Sequence, residues 1–262
     1  MKILLTFLLV LALLLGIPSP ALAFSIDISG DPNHEDITTE VLADFEVVVG
    51  DETFKFTEKA IEKIVRENTN TDNLSQQFDT KLHFDGEDFL GGSKRVIELK
   101  EKTIEFATQE GPNGSAAQTR LGGALHTVQD FYAHSNWVEL GHSSSEINTK
   151  IGREEFSGAD KNTPTCPNDP GILDPNLTEL TSGYFEYDFI LIPSCKVPEG
   201  KCRHGFEPIG CPDGIHKDDK SRPGFDTARA LAVNATQDFL EQIFSDSRME
   251  GNVDAIKALM GI

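Results

Sequence analysis

The sequence predicts an all-α fold, a multi-helix bundle carrying a long disulfide-stapled loop excursion, and three observations support that prediction. Five stretches repeat apolar residues at the spacing that keeps them on one face of a helix. A single short run, "YFEYDFILI", reads as a strand. Residues 157 to 224 gather Pro, Gly, Asp and all four cysteines, a composition with little regular structure.

In chain order, "MKILLTFLLVLALLLGIPSPALAF" places Lys2 before an apolar run from Ile3 to Leu15, then Gly16, Pro18, Pro20 and Ala21-Leu22-Ala23. That order is expected of a secretory signal peptide over residues 1–23, because the run is shorter than the roughly 20 residues of a spanning helix. Residues 24–262 are then enough for one domain, expected to be secreted and to lack a transmembrane segment. Thr57 is positioned to cap "EKAIEKIVREN", whose Ala60, Ile61, Ile64 and Val65 share a face. "SKRVIELKEKTIEFATQ" repeats apolar positions at Val96, Ile97, Leu99, Ile104 and Phe106 and stops at Gly111-Pro112. Ser115 opens the most strongly patterned stretch, "AAQTRLGGALHTVQDFYAHSNWVEL", in which Gly122, Gly123 and Ala124 allow another backbone to approach closely. "FDTARALAVNATQDFLEQIF" and the short "VDAIKALM" close the series.

The charge balance narrows the function. With 43 acidic against 23 basic residues the net charge is −20. Binding nucleic acid by counterion release needs a basic surface, so no stable nucleic-acid binding is expected. Cys166, Cys195, Cys202 and Cys211 contain no C-x-x-C pair, and in a secreted chain an even count reads as two disulfides with three possible pairings. Four N-x-S/T triplets, at Asn73, Asn113, Asn176 and Asn234, are potential glycosylation acceptors.

The chemistry concentrates in "ALHTVQDFYAHSNWVELGHSSSE". On a helix His126, Asp130 and His134 follow one another at four-residue steps, each turning only about 40° further round the axis, so they share a face. Imidazoles and carboxylates are the non-thiolate ligands zinc prefers, and a carboxylate between two histidines can bridge two ions. His83 in "KLHFDGEDF" and His34 in "DPNHEDIT" add imidazoles with acids close by. His204 and His216 read as histidines on a disulfide-braced surface, or as lining the mouth of the site, and Trp137 as core packing at the helix end.

"GGALHTVQDFYAHSNWVEL" resembles the signature of the fungal heterokaryon-incompatibility Het-C family and of the amino-terminal region of a von Willebrand factor A domain-containing family. The likeness continues in "HEDIT", "LHFDGEDF", "KCRHG" and "ARALAVNAT". No von Willebrand A domain is expected to follow. The pattern is more distantly similar to zinc-dependent phospholipase C and the single-strand-specific zinc nucleases, all-α proteins that hold up to three zinc ions. That resemblance implies metal ligation by the backbone of Phe24 and by His34, His83, His126, Asp130 and His134, with His142 and Glu146 as a closing pair. Glu139 competes with Glu146 as the last carboxylate, and Asp79 and Asp85 both stand for the acid near His83. Asp130 would bridge ions, while Asp85 or Glu139 would orient the nucleophile. The implied substrate is a phosphodiester, such as a phospholipid headgroup at a membrane surface. A non-catalytic recognition protein and a nuclease of the same fold are the alternatives.

Overall fold

A computed structural model of the chain describes residues 34–73, 75–76, 78–185, 195–205, 211 and 213–262. The expected signal peptide, Phe24 and most of "YFEYDFILI" lie outside the described residues.

The described residues form helices α1 (His34–Asp44), α2 (Glu58–Thr69), α3 (Thr80–His83), α4 (Phe89–Thr108), α5 (Gly114–His134), α6 (Phe225–Phe244) and α7 (Val253–Met260). One antiparallel hairpin, β1 (Glu46–Val49) with β2 (Glu52–Lys55), separates α1 from α2. The fold is therefore all-α in character, as the periodicity predicts. The hairpin goes unread in the sequence, although valines ahead of Gly50-Asp51 are a turn-flanked strand pattern, and Gly50 takes the positive φ of 62° that such a turn requires.

Helix ends follow local chemistry. Thr57 caps α2 by accepting from the Ala60 amide at 3.3 Å. Helix α4 begins ahead of the expected Ser93 because Asp88 caps it through the Gly91 amide at 3.0 Å. Asn113 likewise caps α5 through the Ala116 amide at 3.0 Å. Helix α5 stops at His134 instead of running on to Leu140. Its neighbour Asn136 turns away to bind the excursion, accepting from the Thr181 amide at 2.8 Å and donating to the Glu179 carbonyl at 3.1 Å.

Helix α5 is the axis of the bundle and packs against α2, α4, α6 and α7. Gly122 lets α2 come in closely: a Cβ there would sit 2.5 Å from the Ile64 carbonyl oxygen. At the far end Phe84, Phe89, Phe131 and Phe156 pack with ring centroids 5.3–6.2 Å apart. Each is buried, and burial of such a side chain stabilises by roughly 1.5–3 kcal/mol.

Between α5 and α6 the chain makes its long excursion, stapled by Cys166–Cys202 and Cys195–Cys211. Two lysines tie it back to the bundle. The Lys201 ammonium lies 2.6 Å from Glu87, and the fully buried Lys217 donates to the Ser135 and Ile215 carbonyls at 2.9 and 2.8 Å and pairs with Glu139 at 3.1 Å. Among the described residues no helix is long and apolar enough to cross a membrane.

Candidate metal centre

Four segments converge on the inner face of α5. Helix α1 contributes its first residue, His34; the turn after α2 contributes Asp72; the end of α3 contributes His83; the turn that follows contributes Asp85. That last turn is bent against ordinary backbone preference. Phe84 and Glu87 both take left-handed conformations, φ 56° and 62°, at a cost of about 1–3 kcal/mol each. Burial of the Phe84 ring and the contacts of Glu87 with Lys201, Thr181 and Tyr184 hold the turn in place.

The first group surrounds Asp130. Its Oδ2 lies 2.9 Å from His126 Nε2 and 2.7 Å from His83 Nδ1, and its Oδ1 lies 3.0 Å from His34 Nε2. Asp72 closes the group, with Oδ1 3.3 Å from His126 Nε2 and 3.7 Å from His83 Nδ1. A tetrahedral zinc with bonds of about 2.0–2.1 Å has ligand atoms about 3.3 Å apart, the scale of these separations. Asp72, His83, His126 and Asp130 are all buried and offer ligand atoms within 4.8 Å of one another.

An amide network fixes which nitrogens face inward. Gln129 and Asn68 point their NH2 groups at the hydroxyls of Thr38 and Thr236, leaving their carbonyl oxygens to accept from His34 Nδ1 at 2.6 Å and His126 Nδ1 at 3.2 Å. Both Nε2 atoms therefore aim at Asp130, where either a proton or a cation must lie between nitrogen and oxygen. Nitrogens of His83 and His126 also face each other at 3.1 Å, a pairing that either a shared proton or a shared ion satisfies.

The second group lies beyond the end of α5. His134 Nε2 is 3.3 Å from His204 Nε2 and 3.3 Å from Asp218 Oδ1, and His204 Nε2 is 3.6 Å from Asp218 Oδ2. Asp85 Oδ1 approaches His134 Nδ1 to 3.0 Å, yet that nitrogen makes its hydrogen bond with the His83 carbonyl at 3.0 Å. Neither Asp85 oxygen has a hydrogen-bond partner among the described residues, despite the short distance. His216 stacks on His204 with centroids 4.9 Å apart and brings Nδ1 to 2.8 Å from Asp218.

The electrostatics of the ion-free protein follow from this crowding. Burial opposes charge on His126, but Asp130 and then Asp72 outweigh it and carry its pKa up to about 10. Burial would raise Asp130, yet His126, His134 and His34 hold it well below the usual carboxylate range. His134 is raised well above its ordinary value, because Asp85, Asp218 and Asp130 overcome its burial. His204 goes the other way: burial pushes it down to about 4, leaving a neutral imidazole at pH 7. Asp218 is held well down, the pull of His216 and His134 exceeding its desolvation.

The residues singled out in the sequence divide into those the structure brings together and those it does not. His34, His83, His126, Asp130, His134 and Asp85 converge. His142 instead stacks on Trp137 with centroids 3.8 Å apart, and Glu146 is exposed and accepts from the Ser143 amide at 2.7 Å. Because α5 ends at His134, the chain that follows carries this pair onto the outside. Glu139 is engaged by Lys217, and Asp79 pairs with Lys81 in the open. His204 and His216 are buried, not on the surface, since the excursion folds back over them. Asp72 and Asp218 were missed. Asp72 carries no local signal in "NTNTDN"; Asp218 stands beside His216 in "HKDD", where the acid neighbour was a hint.

A family profile described as the VWA7 N-terminal domain matches residues 37–250. The von Willebrand factor A domain-containing protein 7 of Rattus norvegicus is 36% identical over 192 residues, covering 68% of this chain and 20% of the relative. Its Mus musculus counterpart is 37% identical over 169 residues, 60% of this chain and 18% of the relative. The Homo sapiens protein is 35% identical over 192 residues, again 68% and 20%. The chain thus spans about a fifth of the length of the curated relatives it matches. No solved structure matches it significantly.

Proposed function

The chain belongs to the VWA7 N-terminal domain family, and from that premise we propose that it is a secreted, zinc-dependent phosphodiester hydrolase similar to phospholipase C. The observation that carries the reading is the sharing of the Asp130 carboxylate, Oδ1 toward His34 and Oδ2 toward His83 and His126, inside a buried shell of imidazoles. Buried carboxylates are costly without cations, and the histidine tautomers fixed by Asn68 and Gln129 leave lone pairs aimed at the space an ion would fill.

His34, Asp72, His83, His126 and Asp130 would hold the metal. A divalent ion bound there supplies Lewis acidity toward a phosphoryl oxygen and lowers the pKa of water near it. The chain's own residues do the rest. Asp130 would hold its negative charge between two sets of imidazoles, and Asp85, whose Oδ1 lies 3.0 Å from His134 Nδ1, would take a proton from an attacking water. A cavity of about 370 Å³ on the side of the excursion is lined by residues that include Glu139 and His216, and His216 stacks on His204 with ring centroids 4.9 Å apart. The two disulfides support an extracytoplasmic setting.

The test combines metal analysis with two substrates. Purified protein should retain zinc through dialysis and release phosphocholine from phosphatidylcholine vesicles. Release of nucleotides from single-stranded DNA instead would reassign it as a nuclease. Zinc retention with neither release would favour the non-catalytic recognition protein, and a zinc-free protein would remove the reading altogether.

A further inference from the structure

We propose that Arg95 and Arg120, side by side where α4 packs on α5, form a binding site for a phosphate-type oxyanion, apart from the metal centre. The inference stands whether or not the Asp130 group holds an ion.

The acidic balance of the chain makes the pair unusual. Six of its eight arginines have their guanidinium groups met. Arg66 pairs with Glu67 at 3.1 Å, Arg153 with Asp238 at 2.8 Å, Arg229 with Glu40 at 2.6 Å and Arg248 with Glu101 at 3.0 Å. Arg203 reaches Asp169 at 3.6 Å, and Arg222 donates to the His216 carbonyl at 3.1 Å. The terminal nitrogens of Arg95 and Arg120 meet no acceptor among the described residues. In a protein of net charge −20, two unpaired cations standing together point to an anion that completes them.

The geometry puts them together. A Cβ on Gly123 of α5 would stand 3.5 Å from Arg95 Nη2, so that guanidinium lies over the glycine. Arg120 precedes Gly123 by three residues and shares its side of the helix, one turn away. Arg95 Nε donates to the Thr127 hydroxyl at 3.2 Å, and that hydroxyl donates to the Gly123 carbonyl at 3.3 Å. Arg95 is thereby held at Nε, with both terminal NH2 groups left for another acceptor. Because Gly123 has no side chain, the helix surface beside the two guanidinium groups is bare.

The energetics favour an anion there. Arg95 is half-buried and Arg120 exposed. A partly desolvated cation without an acceptor is costly, and a second cation beside it adds to the cost. Burial holds Arg95 below its ordinary pKa; Asp79 opposes that, Arg120 reinforces it and Glu98 opposes it. Neither acid closes an ion pair with either arginine, and Asp79 pairs with Lys81 at 3.1 Å instead. A guanidinium fork matches two oxygens on one phosphorus, and two forks balance the double charge of a phosphate, which a single carboxylate does not. Gly123 precedes Asp130 by seven residues, about 10 Å along the axis, beyond the ligand distance of an ion at Asp130.

Calorimetric titration of inorganic phosphate into the full chain, at fixed ionic strength and before and after zinc removal by chelation, tests the proposal. Wild-type protein should bind phosphate in both states. Arg95→Met keeps the aliphatic stem on α5, and Arg120→Ala alters only an exposed side chain. Each should weaken phosphate roughly 10–100-fold with zinc content unchanged, and Glu98→Gln should tighten it. No binding to wild-type protein, binding that vanishes on chelation, or equal affinity in both folded arginine variants would overturn the proposal. Should Arg95→Met unfold by circular dichroism, Arg120→Ala decides alone. Co-sedimentation with phosphatidate-containing phosphatidylcholine vesicles, lost in the arginine variants, would assign the phosphate to a lipid headgroup; phosphate binding without co-sedimentation would assign a soluble phosphate.

Discussion

His34 Nε2 lies 3.0 Å from Asp130 Oδ1, joining the first residue of α1 to the inner face of α5 about one turn before its end. The other oxygen of the same carboxylate serves His126, a helical turn earlier, at 2.9 Å. One side chain thus ties the start of the described bundle to its axis, and its charge is the common counterpart of three histidines.

Replacing that charge should therefore cost both ions and stability. Asp130→Asn keeps the shape and leaves His126 and its neighbours without their anion; breaking a buried pair costs about 3–5 kcal/mol. Zinc content measured by mass spectrometry should fall, and the urea midpoint with it. Full metal retention at unchanged stability would contradict the shared-carboxylate role.

Protons and metal compete for the same nitrogens. With its pKa raised to about 10, His126 is protonated at pH 7 in the ion-free protein, so an entering ion must displace a proton. Titration calorimetry of zinc into chelator-treated protein, repeated in buffers of different ionisation heat, should show net proton release. The sign for stability is also fixed. A raised folded pKa stabilises the ion-free protein fully below the unfolded value of about 6.5, and that contribution is lost as pH rises through about 10.

Any ion held by the second group, His134, His204 and Asp218, should depend on the staple of the excursion. Cys202 stands two residues before His204 and is bonded to Cys166. The double variant Cys166→Ser with Cys202→Ser should weaken zinc at that site by roughly 10–100-fold, the usual cost of losing an orienting partner, and spare the Asp130 group. Competition with a chromophoric chelator reads the two affinities separately, and equal weakening of both would deny the distinction.

Close packing of α2 on α5 predicts intolerance at Gly122. The added methyl of Gly122→Ala meets the Ile64 carbonyl at 2.5 Å and the Glu67 Cβ at 2.7 Å, so the helices must part. Overpacking of this kind destabilises by about 1–3 kcal/mol, even though alanine favours helix. Asn68, which orients His126, lies on the displaced face, so metal affinity should drop in parallel. Denaturant unfolding with and without zinc checks both.

The helical part of the protein is written locally. Thr57 announces α2, the apolar spacing of "FDTARALAVNATQDFLEQIF" and "VDAIKALM" marks α6 and α7 to the residue, and the four-residue steps from His126 to His134 put three ligand-type side chains on one face of α5. Such signals survive in a sequence because helix period and capping involve residues within a turn of one another. The tertiary structure alone decided that Asp72, Asp218 and His204 join those histidines, that His142 and Glu146 stay outside, and that the cysteines pair 166 with 202 and 195 with 211. Those outcomes depend on where a long irregular segment folds back against the bundle, and contacts between residues remote in sequence leave no periodic trace in either partner.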